Sequence, residues 1–179
     1  MKLVILDRDG VINEDSASYI KNPNEWIPIP QSLEAIALLK QNNFHVVIAT
    51  NQSGVGRGLY DISTLNQIHN KMIKMLQDVG GAIDAIFYCT HTDEDDCNCR
   101  KPKIGMLEEI EKRFACSLKK IPAIGDSLRD LKAFRGIGAQ PILVKTGNGE
   151  QTLLDKKYPK NTLIFENLFD AAEFIIANY

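Results

Sequence analysis

Acidic residues follow apolar runs at the two ends of this chain's central stretch. Asp7-Arg8-Asp9-Gly10 lies near the start, and Gly125-Asp126-Ser127 comes later, with Asp130 one helical turn on. Between them stand Thr50-Asn51-Gln52-Ser53-Gly54 and Arg100-Lys101-Pro102-Lys103. Clustered carboxylates repel, and each resists ionising unless a cation compensates. Oxygen ligands without a dedicated cage suit Mg²⁺, which keeps several waters and shares phosphate oxygens with a substrate. A phosphoryl group in transfer needs its equatorial charge neutralised and its attacking and leaving oxygens held in line. Lys101 can supply positive charge, and Thr50 and Asn51 can donate hydrogen bonds. Asp7 is then a candidate nucleophile, and Asp9, two residues on, a candidate general acid/base. No G-x-x-x-x-G-K-[ST] occurs, and Gly54, Gly56 and Gly58 do not space as G-x-G-x-x-G. Both observations argue against a P-loop or a dinucleotide site.

A second constellation has a different chemistry. Cys89-Thr90-His91 precedes Cys97-Asn98-Cys99, offering three sulfurs and one imidazole. Such a set of four suits tetrahedral Zn²⁺ in a closed, structural site. The intervening Asp93-Glu94-Asp95-Asp96 is too polar to bury three cysteines for packing alone. Zinc would order a loop without a core and fix Arg100 and Lys101 just downstream. Cys116 stands apart and reads as a small packing residue.

These groups can work together only if the fold gathers them. Lys2 to Leu6, Phe44 to Ala49, Ala82 to Tyr88, Ile121 to Ile124 and Pro141 to Val144 are short apolar runs rich in Val and Ile. They read as strands covered on both faces, as in a parallel sheet. Helical patterns alternate with them. One is capped by Ser32 and carries Leu33, Ile36, Ala37 and Leu39. Another is capped by Asp61 or Ser63, buries Leu65, Ile68, Met72, Met75, Leu76 and Val79, and stops at Gly80-Gly81. Met106 to Ala115, Leu128 to Phe134 and Phe169 to Ala177 are further helices. The alternation predicts an α/β, doubly wound, mainly parallel sheet. Ligands bind such sheets beyond the carboxyl ends of the strands, where the polar residues above are expected to lie.

The chain's 179 residues fit one domain, 1–179, with a zinc-binding loop at 89–99 and no room for a cap domain. A net charge of -2 disfavours a dedicated nucleic-acid binder. The apolar runs are too short to span a bilayer, and no secretory leader is evident. A cytoplasmic monomer acting on a small molecule is the expectation.

Asp7-Arg8-Asp9-Gly10, Thr50-Asn51, Lys101 and Gly125-Asp126 resemble the four sequential motifs of the haloacid dehalogenase (HAD) superfamily. The match runs from Asp7 to Asp130, and the acid two residues after the nucleophile is the phosphatase pattern. The resemblance implies an aspartyl-phosphate on Asp7, with Asp9 protonating the leaving oxygen and then deprotonating water. It implies Mg²⁺ held by Asp7, the Asp9 backbone carbonyl and Asp126, and phosphoryl oxygens held by Thr50 and Lys101. With the C-x-H…C-x-C loop before Arg-Lys-Pro, the chain is similar to the heptose 1,7-bisphosphate 7-phosphatases of lipopolysaccharide biosynthesis. Histidinol-phosphate phosphatases share the zinc loop and are the alternative substrate class. A non-catalytic zinc-bearing interaction module is the alternative of another kind. Within the resemblance, substrate contacts fall to Asp15, Ser16, Ala17, Ser18, Tyr19, Asn51, Gln52, Ser53, Arg100 and Ser127. Ser127 departs from the Lys that some members carry there, which leaves open what anchors the far phosphate. Trp26 reads equally as a loop anchor or a sugar platform, Asp130 as a metal-site acid or a helix-terminal one, and Arg57 as a surface residue or a clamp.

Overall fold

A computed structural model describes residues 1–179. The elements run β1 (Leu3–Leu6), α1 (Ser32–Gln41), β2 (His45–Asn51), α2 (Ser53–Gly56), α3 (Ile62–Asp78), β3 (Ala85–Cys89), α4 (Gly105–Phe114), β4 (Pro122–Gly125), α5 (Leu128–Ile137), β5 (Gln140–Val144), α6 (Gly149–Asp155), β6 (Leu163–Phe165) and α7 (Leu168–Asn178). The six strands form one sheet in the order β3-β2-β1-β4-β5-β6, and every pairing is parallel. This is the α/β architecture the alternation predicts.

Period-two alternation along the central strands divides the core. Val4 and Leu6 of β1, with Val46 and Ile48 of β2, pack under α1, α3 and α7. Leu3, Ile5, Val47 and Ala49 face the other way, against Met106, Leu107 and Ile110 of α4 and Phe134 of α5. β1 is buried throughout because strands flank it on both sides and helices cover both faces.

Departures from the sequence expectations have local causes. The run Ala82 to Tyr88 is not a doubly covered strand: β3 starts at Ala85, lies at the sheet edge and leaves Tyr88 exposed. β6 and α6 were not expected at all; β6 is a three-residue edge strand with too few apolar positions to show a period. Ser32 does not cap α1. The cap position is Gln31 in a left-handed conformation, and the Ser32 hydroxyl instead donates to the Ile12 carbonyl at 2.6 Å. Asp61 does cap α3, accepting from the Thr64 amide at 2.7 Å. Val79 lies past the end of α3 and is exposed, so it contributes nothing to the core.

Candidate active site

The carboxyl ends of the strands open into a cleft of about 250 Å³. Asp7 leaves β1, Thr50 and Asn51 end β2, and Asp126 leaves β4. Lys101 reaches in from the loop between β3 and α4. Only two of the nineteen lining residues are hydrophobic, so the cleft suits a charged, polar ligand.

Two carboxylates in the cleft carry no committed counter-charge of their own. Asp7 Oδ1 accepts from the Arg8 amide at 2.7 Å and faces Lys101 Nζ at 3.1 Å, which leaves Oδ2 without a partner in the chain. Asp126 Oδ2 accepts from the Asn148 amide and side chain at 2.8 and 3.1 Å, again leaving one oxygen uncommitted. Asp130 differs. Its Oδ1 pairs with Lys101 at 2.6 Å and its Oδ2 takes the Ser127 hydroxyl at 2.5 Å. Burial opposes its charge, but Lys101, the Ser127 hydroxyl and Arg129 together outweigh burial and hold the carboxyl below the usual range. Burial first, then the neighbouring acids, push Asp7 up to about 7 and Asp126 up to about 8.

A divalent cation fits this donor set. Two adjacent carboxyls whose affinity for protons is raised by burial and by neighbouring acids are stabilised as anions by a shared positive charge. Gly10 and Gly147 add a shape argument. Both have positive φ, and a Cβ on either would lie 2.1 or 2.3 Å from Asp126 Oδ2. Bare backbone is therefore required where Asp126 packs.

Asp9 is held by groups that its sequence motif did not reveal. Arg8 has no exposed surface although it follows a strand and carries a full charge. Its Nε and Nη2 donate to Asp9 at 2.9 to 3.1 Å. Asn13 Nδ2 adds a bond at 2.9 Å and Gln52 Nε2 one at 2.7 Å. Arg8 Nη1 lies 3.2 Å from His69 Nε2. A guanidinium only donates, so Nε2 must carry the lone pair and Nδ1 the proton.

Burial and the Arg8 charge push His69 down to about 4. The unfolded imidazole takes its proton near pH 6.5, whereas the folded one refuses it until about pH 4. Stability is thus complete above pH 6.5 and drains as pH falls through that window, by about 3 kcal/mol in all at 1.36 kcal/mol per unit. His69→Gln is expected to flatten the stability profile between pH 6.5 and 4. An unchanged slope in denaturant titrations across that range would contradict it.

Asn51 and Gln52 both line the cleft, as the sequence suggests, and their side chains are also bonded into the scaffold. Asn51 exchanges two bonds with the Lys101 backbone, at 3.0 and 3.1 Å, and so clasps the loop that delivers the lysine. Lys101 itself is almost fully buried and also donates to the Ala49 carbonyl at 2.7 Å. Asp15, Ser16 and Tyr19 line the cleft, as do Ser53, Arg100 and Ser127; Ala17 and Ser18 do not. Trp26 is fully buried away from the cleft, and Lys71 fastens its segment by donating to the Pro23 and Trp26 carbonyls. Trp26 is a loop anchor. Asn148, Arg57, Arg129 and Asp93 line the cleft without having been expected there.

The outer wall of the cleft is the cysteine loop. Its Sγ atoms lie 3.1 to 3.6 Å apart, with His91 Nδ1 3.4 Å from Cys99 and 3.6 Å from Cys89. Disulfides are excluded at these separations, since an S–S bond is about 2.05 Å. Zn–S bonds of about 2.3 Å in a tetrahedron put sulfurs about 3.8 Å apart, near the observed spacing. Burial and the Cys99 contact push the Cys89 thiol up to about 12, so the sulfur becomes a thiolate only against a cation. The Cys₃His set is compatible with zinc. Arg100 is anchored to the same loop, its Nε donating to Asp93 at 2.7 Å.

A family model described as polynucleotide kinase 3 phosphatase matches residues 2–164. The D-glycero-beta-D-manno-heptose-1,7-bisphosphate 7-phosphatase of Bordetella bronchiseptica is 52% identical over 176 residues, 98% of each chain. This chain belongs to the heptose-bisphosphate phosphatase family of HAD-type phosphatases. The enzyme of the same name from Neisseria meningitidis serogroup A is 46% identical over 178 residues, covering 98% of this chain and 95% of that one. The crystal structure of the B. bronchiseptica phosphatase, complexed with magnesium and phosphate, superposes with a TM-score of 0.98 at 51% identity and full coverage of both chains. No helix of this chain is long and apolar enough to cross a membrane.

Proposed function

We propose that this chain is a Mg²⁺-dependent phosphatase that removes the 7-phosphate of D-glycero-D-manno-heptose 1,7-bisphosphate, a step toward ADP-heptose and lipopolysaccharide core. The observation that carries it is Asp7: one oxygen is pinned by Arg8 and Lys101, while the other is free at the floor of a polar cleft. Asp7 Oδ2 attacks phosphorus and becomes an acyl phosphate. Asp9 protonates the departing sugar oxygen, then takes the proton of the water that releases phosphate. Lys101 and the Thr50 hydroxyl hold phosphoryl oxygens as charge develops. The Asp7 and Asp126 carboxylates with the Asp9 backbone carbonyl would hold Mg²⁺, which supplies charge neutralisation for the transferring group. Asp130 is spent on Lys101 and Ser127 and serves as the lysine's counter-ion.

The outer cleft suits a second phosphate. Arg57, Arg100 and Arg129 all line it, and Arg129 takes up the role that Ser127 cannot fill. Six lining aspartates disfavour a polynucleotide, whose many phosphates would meet like charge. Residues 1–179 form the catalytic unit in this reading, and it acts as a monomer. Three thiol ligands suit a reducing compartment, which supports a cytoplasmic location.

Turnover of heptose 1,7-bisphosphate is expected to exceed that of histidinol phosphate greatly; parity or the reverse overturns the substrate assignment. Arg129→Ala is expected to raise KM for the bisphosphate by about tenfold, the loss of one exposed charge-assisted contact. An unchanged KM would place the distal phosphate elsewhere. Metal analysis should find one zinc per chain, bound by Cys89, His91, Cys97 and Cys99. Stripping it should lower the melting midpoint and raise KM more than it lowers kcat, because Arg100 hangs from that loop. A zinc-free protein with wild-type KM would contradict that role.

A further inference from the structure

Gln52 is wired in a way that a substrate contact does not require. Its Oε1 accepts from the Tyr60 hydroxyl at 2.8 Å and from Arg8 Nη2 at 3.1 Å. Its Nε2 donates to Asp9 Oδ2 at 2.7 Å and to Thr50 Oγ1 at 3.0 Å. Two donors at one end and two acceptors at the other fix which way the amide points. Because Thr50 Oγ1 accepts from Gln52 and Thr50 lines the cleft, its hydroxyl proton is available to a ligand there. Tyr60 is buried and its place is built for it: a Cβ on Gly54 would lie 2.3 Å from the ring's Cε1. Burial pushes the phenol up to about 12, so it stays a donor.

We propose that Tyr60 is a positioning residue whose hydroxyl, through the Gln52 amide, holds Asp9 and aims the Thr50 hydroxyl for phosphoryl transfer. The proposal rests on the roles assigned above to Asp9 and Thr50. Tyr60 does not touch the cleft. Its effect must therefore pass through kcat, and most strongly where the leaving oxygen needs a proton.

Tyr60→Phe keeps the ring against Gly54 and deletes only the hydroxyl. For the sugar bisphosphate, kcat is expected to fall about tenfold with KM within about twofold, the scale of one lost hydrogen bond, here the one that orients the Gln52 amide. In single turnovers that read transfer to Asp7, the fall should be smaller with p-nitrophenyl phosphate, whose leaving group departs without a proton. Gln52→Met removes both arms of the relay and should cost at least as much. Adding Tyr60→Phe to Gln52→Met should cost nothing more, since the tyrosine acts only through the amide. An unchanged kcat, a loss confined to KM, equal losses on both substrates, or multiplying losses in the double variant would each overturn the proposal. Asp9→Asn separates the two levels. Wild-type kcat there removes the acid/base role itself, whereas a loss there beside an intact Tyr60→Phe removes only the relay.

Discussion

Asp7→Asn is expected to lower kcat on the order of 10⁴-fold or more, the scale of deleting a nucleophile, while leaving a folded protein. Asparagine keeps the shape, and its carbonyl still accepts from the Arg8 amide and from Lys101, the two partners of Asp7 Oδ1. What disappears is the anionic Oδ2 that faces phosphorus. Stability should hold or rise in chelator, because Asp7 shares a buried pocket with Asp126 and Asp130 and each raises the cost of the others' charge. Phosphate-release assays beside melting curves check both halves. Residual turnover within tenfold of wild type would mean that water, not Asp7, attacks the phosphoryl group.

Lys101→Met is expected to damage stability and catalysis together. The lysine is almost fully buried, and it answers the charge of Asp130 at 2.6 Å and of Asp7 at 3.1 Å. Breaking a buried pair by removing one partner costs about 3–5 kcal/mol, which for a chain this size lowers the melting midpoint by about 6–20 °C. Loss of the positive charge at the phosphoryl oxygens should cost a further 10²–10³-fold in kcat, roughly the worth of one preorganised donor. A second change tells the two effects apart. Lys101→Met with Asp130→Asn replaces the pair by neutral groups and should recover most of the stability but none of the activity. Recovery of both would show that the lysine only balances Asp130.

Much of this site was legible because its chemistry sits at strand ends, where sequence position fixes spatial position. Asp7, Thr50 and Asp126 each follow or end an apolar run that the parallel sheet aligns. The zinc-type loop was legible for a similar reason, since all four ligands fall within eleven consecutive residues. The groups that hold the catalytic side chains were not legible. Arg8 has no role in the sequence motif, and the convergence of His69 from α3 and Gln52 from the β2 end encloses it. A charge flanked by two candidate catalytic acids is the signal that could have marked it. Asn148 acts on Asp126 from 22 positions away, through a turn after β5 that has no periodic pattern. Tyr60 owes its place to the absence of a side chain on Gly54, which a reading of motifs takes for loop flexibility.

The most direct test of phosphoryl transfer to Asp7 is mass spectrometry of enzyme acid-quenched during turnover of the sugar bisphosphate with Mg²⁺ present. The expected result is one phosphoryl group on the peptide carrying Asp7, absent from Asp7→Asn and more abundant in Asp9→Asn fed with p-nitrophenyl phosphate, whose departure needs no proton while water attack still needs the base. A phosphoryl group found on another residue would contradict it, as would turnover by the wild-type enzyme that leaves no modified peptide under conditions where Asp9→Asn also accumulates none.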